Sequence, residues 1–126
     1  METRKKLVIL VDDNPANLRI GKNVLSETYT VATAPSAEKL FLLLENSSPG
    51  LILLDIDMPV MDGYETIKIL KKRPDTKDIP VIFLTGKTES SDEEEGRVLG
   101  AVDYITKPFD PPRLIECIKE HIAAGI

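Results

Sequence analysis

The 126-residue chain is 42% apolar with a formal net charge of -5, which allows one packed core and leaves no room for a second domain. That charge argues against direct nucleic-acid binding, because the only basic clusters, Arg4 to Lys6 before a strand and Lys71 to Arg73 at a helix end, read as solvated ends rather than a phosphate-tracking surface. A single cysteine, Cys117, excludes an internal disulfide and fits a reducing compartment, and short apolar runs without a visible signal peptide exclude a membrane span and point to the cytoplasm.

Leu7 to Val11 is a continuous apolar run of strand length, and Asp12-Asp13-Asn14-Pro15 ends it while opening a helix, with Asn14 as cap and Pro15 at the first helical position. The spacing predicts that helix to Glu27, with Leu18, Gly21 and Leu25 on one stripe and Ile20 and Val24 beside it. Thr28 to Ala34, rich in β-branched residues, predicts a second strand. Ser36 caps a predicted helix from Ala37 to Glu45, with Leu40, Phe41 and Leu44 inward, and Asn46 to Gly50 is turn chemistry. Leu51 to Asp55 predicts a third strand that ends on a carboxylate, followed by a loop from Ile56 to Met61. Asp62-Gly63-Tyr64-Glu65 is then a capping box for a helix ending near Arg73.

Pro74 to Pro80 is a polar connection, and Val81 to Leu84 predicts a fourth strand that delivers Thr85 and Gly86 into a loop. Ser90 to Glu95 supplies hydroxyl caps and first-turn carboxylates for a short helix, which Gly96 weakens by about 1 kcal/mol relative to Ala. Val102 to Thr106 predicts the fifth strand. After Lys107-Pro108-Phe109, Asp110 caps a helix beginning at Pro111 that carries Leu114, Ile115, Ile118 and Ile122 inward, with Cys117 half-buried and His121 on the surface. All nine prolines fall in connections or helix starts. Five strands alternating with five helices predict a parallel sheet covered on both faces, within a single domain over residues 1–126.

Ligands of such sheets bind at the carboxyl ends of the strands, near the point where strand order reverses. Asp12, Asp13, Asp55, Thr85 and Lys107 all fall there, from four separated segments. Two carboxylates at roughly 4 Å repel by about 4 kcal/mol at an effective dielectric of about 20. Three persist together only with a cation or with raised pKa values. All-oxygen donors without nearby His or Cys select a hard cation, magnesium before calcium, since no EF-hand-like ligand ladder is present.

With Asp12-Asp13, Asp55 in DIDMPVMDG, Thr85-Gly86 and Tyr104-Ile105-Thr106-Lys107-Pro108, the chain resembles, over essentially its whole length, the receiver domain of two-component response regulators. The resemblance implies a flavodoxin-like doubly wound five-stranded sheet of order 2-1-3-4-5. It implies a phosphorylation switch: Asp55 takes a phosphoryl group from a sensor histidine kinase or phosphotransfer protein. Asp13 and Asp55 would hold Mg2+ directly, with the backbone carbonyl of Asp57 as a third ligand and Asp12 acting mainly through water. Lys107 and the Thr85 hydroxyl would stabilise the transferring group. Such a domain promotes its own phosphorylation and dephosphorylation without turning over a separate substrate.

The same resemblance makes Thr85 and Tyr104 the switch pair and puts the changing surface on the fourth helix, fifth strand and fifth helix, toward a target protein, an attached output domain or a phosphorylation-linked dimer. It also makes Lys107-Pro108 a cis-proline junction. Asp57 and Lys87 are candidates for tuning dephosphorylation, against an alternative as a solvated pair. Two other readings are disfavoured. A flavodoxin-like flavin module needs a phosphate-cradling loop where this chain has two aspartates. A haloacid dehalogenase-like phosphatase needs Thr or Val at the position of Pro59.

Overall fold

The computed structural model describes residues 5–86, 96–108 and 110–122. In chain order the elements are β1 (Leu7–Val11), α1 (Pro15–Leu25), β2 (Thr30–Ala34), α2 (Ala37–Leu44), β3 (Leu51–Asp55), α3 (Gly63–Lys72) and β4 (Val81–Thr85). Helical residues 96–99 (α4), β5 (Asp103–Thr106) and α5 (Pro111–His121) follow. The strands form one parallel sheet of order β2-β1-β3-β4-β5. The flavodoxin-like architecture expected from the sequence is therefore the one observed. Among the described residues no helix is long and apolar enough to cross a membrane.

Period-two alternation along the buried strands builds two cores. Ile9, Val11, Ile52, Leu54, Val81 and Phe83 point to one face and meet Leu40 and Leu44 of α2 and Ile67 and Leu70 of α3. Val8, Leu10, Leu51, Leu53, Ile82 and Leu84 point to the other and meet Leu25 of α1 and Leu114, Cys117 and Ile118 of α5. Every residue of β3 and β4 is buried, which explains why those runs are continuously apolar.

Several predicted boundaries shift. Helix α1 stops at Leu25, because the Tyr29 and Thr28 amides fold back onto the Leu25 carbonyl, and β2 accordingly begins at Thr30. Ile20 does not join the inward stripe and is half exposed. Helix α2 ends at Leu44 with Glu45 as its C-cap. Strand β4 includes Thr85, and β5 begins at Asp103. Asp110 occupies the cap position of α5 without a side-chain cap bond. Pro112 at the second helical position has removed one of the two amide donors that a cap side chain serves.

The Asn14 and Ser36 caps and the Asp62–Glu65 capping box form as expected. Lys71 reaches across the connection after α3 to donate to the Lys77 and Ile79 carbonyls at 3.0 and 2.9 Å, so part of this basic cluster closes a loop.

Candidate functional site

The sheet order reverses between β1 and β3, the place where a doubly wound fold opens a crevice at its carboxyl edge. Asp12 and Asp13 follow β1, and Asp55 ends β3. One carboxylate oxygen from each lies within 4.8 Å of the others. Asp12 and Asp55 are buried and Asp13 is exposed, so the cluster opens to solvent on one side. Thr85, at the end of β4, is buried, and the Lys107 amide donates to its backbone carbonyl at 2.8 Å, tying the loop after β5 to the rim. The Lys107–Pro108 peptide is cis. Thus the structure brings together the five rim residues picked out in the sequence.

Lys107 Nζ donates to Asp55 Oδ1 at 2.9 Å and to Asp12 Oδ2 at 3.0 Å. The Asp12 bond was not foreseen. Asp12 is further fixed by the Asn14 amide on Oδ1 at 2.9 Å and by Asn17 Nδ2 on Oδ2 at 3.2 Å. Asp55 Oδ1 also accepts from the Asp57 amide at 3.3 Å, while Asp57 itself is exposed. Lys87 lies outside the described residues, so its pairing with Asp57 is not placed.

Burial pushes the Asp55 pKa upward and the Asp12 charge adds to it. The Lys107 ammonium and the Asp57 amide offset this only partly, leaving Asp55 at about 6. Burial alone would lower Lys107, but its hydrogen bonds and charge contacts with Asp55 and Asp12 prevail and raise it. The lysine is therefore held cationic between two carboxylates.

Removing that cation leaves two buried carboxylates facing each other. Lys107→Ala is expected to destabilise the metal-free chain by about 2–4 kcal/mol, somewhat less than the breaking of a fully buried pair, because the lysine side chain keeps 21% exposure. Urea denaturation reads the loss, and a divalent cation is expected to restore part of it. Unchanged stability would mean that the carboxylates do not depend on Lys107.

The donor set suits magnesium: hard oxygens, a few carboxylates and an open side where water can complete the shell. Next to the cluster, the loop after β3 returns closely on itself, with the Gly63 amide donating to the Ile56 carbonyl at 2.9 Å. Val60 at its tip is fully exposed, with φ of 71°, a left-handed conformation uncommon for a β-branched residue.

Tyr104 is buried on β5, and its ring packs edge-on against Phe83 at 5.7 Å, and the Tyr64 ring also packs edge-on against Phe83, at 5.4 Å. Gly96 acquires a role that the sequence did not reveal. A Cβ there would lie 2.7 Å from Tyr104 Cε2 and Oη and 2.8 Å from Phe83 Cδ2. This glycine makes room for the two rings, a requirement more specific than the helix weakening read from its residue type.

Comparison with known proteins gives a consistent picture. A family model described as the response regulator receiver domain matches residues 8–119. A probable cyclic di-GMP phosphodiesterase of Vibrio cholerae is 42% identical over 115 residues, covering 91% of this chain and 26% of that protein. The chain spans about a quarter to a half of the length of the first curated relatives it matches. Among solved structures, the Vibrio cholerae chemotaxis protein CheY4 superposes with a TM-score of 0.89 at 27% identity, covering 94% of this chain and 99% of that one. The receiver domain of a Pseudomonas aeruginosa sensor histidine kinase, with magnesium coordinated in its active-site cleft, gives a TM-score of 0.84 at 26% identity, covering 93% and 97%.

Proposed function

Because the chain belongs to the response regulator receiver domain family, we propose that Asp55 accepts a phosphoryl group from the phosphohistidine of a sensor kinase or phosphotransfer protein, and that the modified domain changes its grip on a target protein or attached output domain. The observation that carries this reading is the position of the Asp55 carboxylate: at the switch point, within the acidic cluster, and 2.9 Å from the Lys107 ammonium.

One Asp55 oxygen attacks phosphorus in line, the phosphorus–nitrogen bond to the donor imidazole breaks, and its electron pair returns to the ring, leaving an acyl phosphate. Lys107 places a fixed positive charge where negative charge spreads over the transferring oxygens. Thr85, at the rim beside it, supplies a hydroxyl donor. Asp13 and Asp55, with the Asp57 carbonyl and with Asp12 through water, would hold Mg2+, which when bound adds further positive charge at the phosphoryl oxygens. Hydrolysis of the acyl phosphate resets the domain, with no separate substrate turned over. On this reading the chain works in the cytoplasm beside its kinase.

The test is incubation with a small acyl-phosphate donor and Mg2+ followed by intact mass measurement. A single added phosphoryl group, labile to hydroxylamine and mapped to Asp55, is expected. No adduct, or an adduct on another residue, overturns the reading.

The switch runs through Thr85 and Tyr104. The new phosphoryl oxygens draw on the Thr85 hydroxyl, and that movement favours the inward Tyr104, whose space Gly96 keeps open. With beryllofluoride as phosphate mimic, amide exchange over residues 96–122 is expected to slow in the native chain and to change much less in Gly96→Ala, where the added methyl displaces the ring. Equal responses in the two chains would remove Gly96 and Tyr104 from the switch.

A further inference from the structure

At the opposite end of β5 from the acidic rim lies a second cluster. Asp103 begins β5 opposite Ile82, whereas Thr106 at its other end pairs with Thr85 of the rim. Cys117 and His121 are one helical turn apart on α5 and face Asp103 together. Cys117 Sγ donates to Asp103 Oδ2 at 3.2 Å, and His121 Nε2 lies 3.1 Å from the same oxygen. The expected surface histidine and half-buried cysteine are thus members of one built group, with Cys117 fully buried and the Asp103 and His121 side chains 20% and 27% exposed.

We propose that Asp103, Cys117 and His121 form a three-ligand site for a borderline divalent cation of the zinc class, separate from the acidic rim. One ligand atom from each lies within 4.8 Å of the others. Ligand atoms around a tetrahedral zinc lie about 3.3–3.6 Å apart. The two contacts to Asp103 Oδ2, at 3.1 and 3.2 Å, therefore need to open by only a few tenths of an ångström. The carboxylate is already oriented, because its other oxygen accepts the Tyr104 amide at 2.8 Å. Exposure of Asp103 and His121 leaves an entry path and a fourth position for water.

A thiolate with an imidazole and a carboxylate selects zinc over magnesium, so the two clusters of this chain sort metals by softness. Burial, reinforced by Asp103, holds the Cys117 thiol up at about 12, so without metal it remains a protonated donor. Binding of the cation to a His121 ring nitrogen, the Asp103 carboxylate and the Cys117 sulfur forms three metal–ligand bonds and releases the thiol proton to solvent. The filled site would clip the last turn of α5 to the edge strand, on the face expected to meet the output.

The chain has one cysteine and one histidine, so a thiolate or imidazole signature can come only from this cluster. The test uses the untagged, reduced protein with excess Mg2+ to occupy the rim. Zn2+ is titrated against a fluorescent chelator, and Co2+ is followed by absorption. One Zn2+ per chain and a thiolate-to-cobalt charge-transfer band are expected. Cys117→Ser should abolish the band, and the part-exposed His121→Gln, which spares the core, should weaken Zn2+ binding by more than about a hundredfold, beyond what loss of an outer partner costs. Absence of stoichiometric Zn2+ binding, absence of the band, or undiminished affinity in His121→Gln would show instead that the three side chains form a hydrogen-bonded clasp alone.

Discussion

Asp55→Asn is expected to take up no phosphoryl group and, at pH 7 without divalent metal, to unfold at a higher temperature than the native chain. The loss follows from the missing nucleophile. The gain follows from the cost of an ionised Asp55, which is buried beside Asp12 and sits at about 6 against an ordinary 3.8. In that interval the folded chain binds more protons than the unfolded one, so the native chain loses stability as pH rises from about 4 to about 6 and then levels off. An amide never carries that charge, and its oxygen still accepts from Lys107. The expected advantage at pH 7 is of order 1–3 kcal/mol, shrinking toward pH 4. Mg2+ should close the gap by stabilising the native chain more than the variant. Thermal melts across pH, with and without Mg2+, decide the matter. A variant no more stable than the native chain at pH 7, or one that still forms an adduct, would contradict the account of this site.

Gly63→Ala should be a severely damaging substitution although it adds only a methyl group. A Cβ at this position would lie 2.7 Å from the Asp55 carbonyl oxygen and 2.8 Å from the Ile56 Cα, both backbone atoms that cannot rotate away. The capping box puts Gly63 at the first position of α3, and the hydrogen bond to the Ile56 carbonyl draws that end against the end of β3. Relief of the overlap requires moving either the helix start or the peptide that carries the acceptor. A stability loss of about 2–4 kcal/mol is expected, at and somewhat above the usual cost of overpacking, together with slower phosphoryl uptake from a small donor. Urea denaturation and time-resolved mass measurement read the two effects. A variant of native stability and uptake rate would mean that the loop accommodates the methyl without shifting Asp55.

The sheet was legible because the residues of β3 and β4 are buried throughout and leave continuous apolar runs, while caps such as Asn14 and Asp62 marked where helices start. Element ends were less legible. The turn at Leu25 and the inclusion of Thr85 in β4 depend on backbone bonds that side-chain pattern does not encode. The rim residues could be grouped because topology sends every strand end to one edge, but the double role of Lys107 depends on a distance that topology alone does not set. Cys117 and His121 carried a readable signal, their one-turn spacing, yet Asp103 joins them only through the packing of α5 on β5. The reading of Gly96 was incomplete for a similar reason: residue type reports backbone freedom, whereas the space its missing side chain leaves is occupied by Tyr104 and Phe83.

Lys107 joins Asp12 to Asp55 across the sheet edge, and this has a consequence in time as well as in space. On the ribosome the two carboxylates are made long before the lysine, and their shared cation cannot arrive until β5 has been synthesised and added to the far side of β4. A nascent chain that has reached Thr85 carries both carboxylates but not the ammonium that bridges them. On the function proposed above, competence to receive a phosphoryl group waits for β5, and phosphorylation of Asp55 would certify that the whole sheet has been completed.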